Sequence, residues 1–195
     1  MMTKHEVIRY LTDYFAAHNI QCVSAIADGM MTLNMAFPAP DAPSEYVESC
    51  IFFYENDMET RIYYSADSSA WCRESRRFWG ELYRLLNFIN ARVFLHCADG
   101  CGGALYCPRI LYTPRFYLTE DDGCDLSMTT VIPYDFFELA PLETADYLTG
   151  FSAELLNALA KPIFLLLLGK INVEEAITLI RQDVLNETDN EEGRG

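Results

Sequence analysis

At 195 residues, 51% of them hydrophobic and 13% aromatic, the chain is long enough to bury a full core without disulfides or a metal. A formal charge of −15 and a pI near 4.4 exclude the usual electrostatics of nucleic-acid binding, in which Lys and Arg neutralise phosphates, and disfavour anionic membrane surfaces. Mean hydropathy is high at +0.02, so the net charge is what opposes self-association.

Thr3 and Glu6 form a capping box ahead of an apolar stripe at helical spacing, namely Val7, Ile8, Leu11, Tyr14 and Phe15. Asn19 suits the left-handed residue that closes a helix. Period two then takes over. Residues 21–37 predict two strands around Asp28-Gly29, a strong hairpin signal. Beyond the Pro-rich connection from Pro38 to Pro43, a second hairpin is expected, with strands at 47–54 and 60–65 turning at Glu55-Asn56-Asp57. A long central helix over 66–92 comes next, with Asp67, Ser68 and Ser69 as candidate N-caps. Phe78, Leu82, Leu85, Leu86 and Ile89 form its apolar face, and five Arg stand against two Glu.

Strands are expected near 93–97 and 104–112, then at 115–118 and 126–132. The rest reads as helical: a stretch from Pro133 to Leu148, a buried helix over 155–168 capped by Ser152, and a last helix opened by Asn172 and Glu175 as a second capping box. The apolar run from Pro162 to Gly169 is too short to cross a bilayer, so no membrane span is expected. This order predicts an α+β fold: an antiparallel β-sheet of five or more strands packed by N-terminal, central and C-terminal helices. One domain covers residues 1–186 and an acidic disordered tail covers 187–195.

Seven Cys and an N-terminus without an apolar signal core point to a reducing cytoplasm, where Cys behaves as a small hydrophobe. His96, Cys97, Cys101 and Cys107 number enough donors for tetrahedral zinc. Adjacent His96 and Cys97 in a strand point to opposite faces, however, and Cys101 and Cys107 miss the paired spacing of structural sites. Cys97 and Cys101 likewise miss the thioredoxin-like spacing. The glycines at 100, 102 and 103 lead into a strand rather than a helix, which removes a phosphate cradle. No catalytic residue, metal or cofactor is assigned.

The stretch LLNFINARVFLHCADGCGGALYC, where a helix ends in Leu-Asn and leads through a strand into a Gly-containing hairpin, resembles the YbjN-type family, as does the helix closing on LLLLG. These are described as bacterial sensory transduction regulators with the fold of type III secretion chaperones. The resemblance implies a non-enzymatic protein-binding or regulatory role, as a dimer, with no catalytic residues to carry over. The expected function is therefore to hold an amphipathic or basic segment of a protein partner on the sheet's aromatic face or in the groove beside the central helix. Candidate contacts are Trp71, Trp79, Tyr83, Phe52, Tyr54, Tyr63 and Arg77. Two other readings stay open: a thiol-dependent enzyme or redox protein using Cys97, Cys101 and His96, and an acidic immunity or antitoxin-like protein that neutralises a basic toxin.

Overall fold

A computed structural model describes residues 2–93, 114–120 and 123–187. The capping box at Thr3 and Glu6 opens α1 (Lys4–Ala17), whose buried face is Val7, Leu11 and Phe15, and Asn19 follows it with φ of +56°. Strand β1 (Val23–Ala27) turns into β2 (Met30–Pro38) through Asp28 and Gly29, both left-handed at φ of +51° and +78°. Two positive φ angles make the type I′ geometry that matches strand twist, and Asp-Gly is the dipeptide that accepts it.

The second hairpin joins β3 (Tyr46–Phe53) to β4 (Asp57–Tyr64). Its turn is tighter than expected, because the Tyr54 N–H bonds the Asp57 carbonyl at 2.9 Å and draws Asp57 into the strand. With β5 (Arg115–Leu118) and β6 (Leu126–Pro133) the sheet has the order β1-β2-β3-β4-β6-β5, antiparallel throughout. The protein is thus α+β, as its sequence predicts. The strands expected near 93–97 and 104–112 and the acidic tail beyond Glu187 lie outside the described residues; Val93 itself ends a π-helical turn, Ile89–Val93, and Glu187 pairs with Arg92 at 3.3 Å and Arg181 at 3.6 Å.

Strand register sorts the side chains into two faces, since alternate residues point to opposite sides. Met35, Ser49, Ile62, Met128 and Phe116 stand in one row across five strands, beside a row of Leu33, Ile51, Thr60 and Thr130. The apolar members of these rows join the helices in one continuous core. Rows on the other face run Asn34, Cys50, Arg61, Thr129, Arg115 and Ala36, Glu48, Tyr63, Ser127, Tyr117, and none of these contributes to that core. Outermost β1 leaves Val23 and Ile26 exposed on its two sides.

The central helix is broken where one continuous helix was expected. It runs as α2 (Ala66–Glu74), a 3₁₀ turn (Arg76–Phe78) and α3 (Trp79–Phe88). The break has a visible cause: the Cys72 carbonyl accepts the Trp79 indole N–H at 2.9 Å and the Ser75 N–H at 3.3 Å, so the next turn tightens. None of Asp67, Ser68 and Ser69 is the N-cap. Ser65 holds that position, while the Ser69 hydroxyl crosses to the Asp125 carboxylate at 2.5 Å and ties α2 to the β5–β6 turn.

After β6 the chain forms α4 (Tyr134–Leu139) and α5 (Pro141–Asp146), with a corner at Ala140 (φ −148°, ψ 63°). A residue that precedes Pro is pushed out of helical geometry, so Pro141 sets the corner. From Pro141 the helix is continuous through a π-helical turn (Tyr147–Phe151) into α6 (Ser152–Leu167), 27 residues in all. Ser152 therefore caps nothing; its hydroxyl returns to the Leu148 carbonyl at 3.2 Å. By length and composition this helix is able to cross a membrane, yet two thirds of its apolar window is buried against the fold. Within α6, Leu155, Leu156, Leu159, Ile163 and Leu166 are fully buried, each contributing about 1.5–3 kcal/mol. The Tyr64 hydroxyl donates to the Leu156 carbonyl at 2.6 Å and fixes α6 to the sheet. The second capping box, Asn172 with Glu175, opens α7 (Val173–Asp183) as expected.

Candidate interaction surface

The seven expected contact residues do not share one surface. Phe52 and Tyr63 lie on the outer face of the sheet, and Tyr54 follows at the end of β3. Their polar partners are already engaged. The Arg61 guanidinium sits 4.8 Å over the Phe52 ring and donates to Glu59 at 2.5 Å, and the Tyr54 hydroxyl donates to the same carboxylate at 3.5 Å. Burial, then the neighbouring Glu48 carboxylate, pushes the Tyr63 hydroxyl far up from its ordinary value. Arg61, the cation beside these rings, is paired and stacked and so keeps little charge to offer a partner.

Tyr83 is committed too: its hydroxyl donates to Glu120, and burial followed by that bond raises its pKa to about 12. Trp79 is half-buried, its indole N–H spent on the helix break and its ring lying 5.1 Å beneath Arg76.

Trp71 is different. It is 39% exposed, meets Phe164 edge-on at 6.1 Å, and its indole N–H has no partner among the described residues. One turn beyond Phe164, Leu168 is exposed where α6 ends. Gly169 follows and faces the ring of Phe78, over which Arg77 lies at 4.7 Å. Trp71 on Phe164 and Phe78 on Gly169, the residue after exposed Leu168, thus place these side chains where the broken central helix meets the end of α6. Arg76 and Arg77 flank it, both exposed and without an ion pair among the described residues. On a chain of net charge −15 this is a local reversal of sign. Sequence reading finds Trp71 and Arg77 from the aromatic and Arg content of residues 66–92 and places Phe164 in the core, where it lies, but misses exposed Leu168, which pattern alone assigns to the core.

A cleft of about 750 Å³ lies nearby, lined by Glu81, Arg84, Asn172 and Glu174 at the start of α7. Its helix-end donors are already satisfied: Val173 N–H bonds Glu81 at 3.1 Å, and Glu174 and Glu175 N–H bond the Asn172 side chain. The Arg84 guanidinium is held by Glu174 at 2.5 Å.

Among the described residues, Cys22, Cys50, Cys72 and Cys124 form no disulfide. Burial raises the first three above the ordinary thiol value, Cys72 to about 12 with help from nearby Cys124 and Asp125, so these are not activated nucleophiles. No cluster of His, Cys, Asp or Glu able to hold a metal occurs among the described residues; His96, Cys97, Cys101 and Cys107 lie outside them. Both described histidines are exposed on or just past α1, His18 stacked on Tyr14 at 4.1 Å. No family model, curated protein or solved structure matches this chain.

Proposed function

We propose that this chain is a non-enzymatic protein-binding or regulatory protein that holds an amphipathic segment of another protein in the groove beside its broken central helix. Trp71 and Leu168 anchor the segment's apolar side, and Arg76 and Arg77 engage carboxylates beside it. The observation that carries this reading is an exposed Trp that meets Phe164 edge-on, its indole N–H unspent among the described residues, on the same broken helix as Arg76 and Arg77, two exposed guanidiniums without an ion pair among the described residues. Trp and Arg are the side chains that most often concentrate binding energy in protein interfaces. The resemblance to the YbjN-type family implies the same class of role, with a chaperone-like fold, and four described cysteines without a disulfide suit a cytoplasmic setting.

The experiment is a parallel capture from native lysate with the unsubstituted chain, Trp71→Ala and Arg77→Glu, read by mass spectrometry. A protein recovered by the first and lost by both variants supports the reading. Equal recovery by all three removes this surface from the function.

A further inference from the structure

A second surface, using none of these residues, lies at the corner between α4 and α5. Leu139 is 74% exposed, Leu142 is 52% exposed, and Phe136 is exposed with them. Phe136 and Leu139, three residues apart on α4, share the side opposite buried Tyr134 and Phe137, and Leu142 stands just past the corner that Pro141 sets. The corner is built rather than frayed. Phe137 packs edge-on against Tyr10 of α1 at 5.4 Å, the Ala140 N–H bonds the Phe137 carbonyl at 3.2 Å, and the Thr144 N–H and hydroxyl both return to the Ala140 carbonyl at 3.0 and 2.7 Å.

Charge decides what fits it. Asp135, Glu138, Glu143 and Asp146 are exposed around the three apolar side chains, and no Lys or Arg occurs from residue 116 to residue 160. Glu138 accepts the Met2 N–H at 3.0 Å and Asp146 the Tyr14 hydroxyl at 2.6 Å, while Asp135 and Glu143 have no cation beside them among the described residues. On α1, which packs behind, Lys4 is spent on the Phe53 carbonyl at 2.6 Å, leaving Arg9 as the other cation of that helix. A second copy set here would press acid against acid, and an anionic bilayer would be repelled by the same carboxylates.

We propose that this elbow docks a basic amphipathic segment of another protein, its apolar side on Phe136, Leu139 and Leu142 and its Lys or Arg side chains toward Asp135 and Glu143. The occupant differs in sign from that of the Trp71 groove, so the two surfaces discriminate between partners.

The test uses the whole chain and a labelled synthetic helical peptide with leucine on one face and lysine on the other, titrated by fluorescence anisotropy at low and raised salt. The peptide is expected to bind, and the double substitution Leu139→Ser with Leu142→Ser to weaken it by about tenfold or more. Asp135→Asn with Glu143→Gln is expected to weaken binding and flatten its salt dependence. Trp71→Ala and Asp183→Asn should leave it unchanged, and circular-dichroism melts confirm that each variant folds. Several outcomes overturn the proposal: no binding by the unsubstituted chain, equal binding by Leu139→Ser with Leu142→Ser, or equal binding of the same peptide with glutamate in place of lysine. So do a dimer seen in sedimentation, or binding to zwitterionic vesicles, that the same double substitution abolishes.

Discussion

Phe78 and Gly169 meet so closely that a Cβ on the glycine would lie 2.5 Å from the Phe78 Cζ. Gly169 also has φ of +64° and closes α6 with two bonds at 2.9 Å, its own N–H to Leu166 and the Lys170 N–H to Leu165, the Schellman arrangement. Gly169→Ala therefore meets both a steric and a conformational penalty, expected to cost about 1–3 kcal/mol. The measurement is the urea midpoint. Because Phe78 supports Arg77, partner binding at the Trp71 groove should weaken in the same variant.

Ser69→Ala removes the bond to Asp125 that ties α2 to the β5–β6 turn. A hydrogen bond to a charged group contributes about 1.5–3 kcal/mol, so a loss of that order is expected. It should appear as a Tm lower by about 2–4 °C for each kcal/mol at this chain length. An unchanged Tm would show that solvent takes over the carboxylate.

Ser49→Ala should act in the opposite direction. Its hydroxyl is buried between Met35 and Ile62 on the core face and has no hydrogen-bond partner among the described residues. Removing an unsatisfied buried hydroxyl relieves a desolvation cost of about 1 kcal/mol. A higher Tm is the expected result, and a lower one would mean that the hydroxyl is satisfied after all.

Alkaline pH should unfold the protein through its buried acids. Burial raises Tyr134 to about 12 from 10.0 and Cys72 to about 12 from 9.0, and pushes Tyr64 well above its ordinary value. Between the ordinary values and 12 the unfolded chain releases protons that the folded chain keeps. Stability from these groups is thus whole below pH 9 and falls as pH climbs toward 12. Urea midpoints across that window should decline while tyrosinate absorbance rises together with unfolding. Cys72 should resist thiol reagents at neutral pH until the chain unfolds, which peptide mapping of the labelled protein checks.

Elements whose cause is local were legible in the sequence. The capping boxes at Thr3 and Asn172 and the Asp28-Gly29 turn are each decided by residues within four positions, and all three form as expected. What was not legible depends on partners distant along the chain. The central helix breaks because the Trp79 indole reaches back to Cys72, and Ser69 forgoes capping because Asp125 lies opposite it. The same limit applies to the site. Composition draws attention to Trp71 and Arg77, but only packing separates them from Phe52, Tyr54 and Tyr63 on the far side of the sheet, and only packing adds Leu168. The exposed trio at the α4–α5 corner reads in sequence as part of an ordinary amphipathic helix, until the Pro141 corner turns it outward.

Strand β1 carries no charged side chain, and its Val23 and Ile26 face solvent on opposite sides of the sheet's rim. Rim strands elsewhere are commonly blunted by Lys, Pro or a bulge, and this one has none of the three. What keeps such rims from adding end to end is colloidal: every copy approaches every other with a charge of −15. That barrier vanishes near pH 4.4 while the amide row on β1 persists, so acidification should drive strand-on-strand polymerisation well before the core gives way.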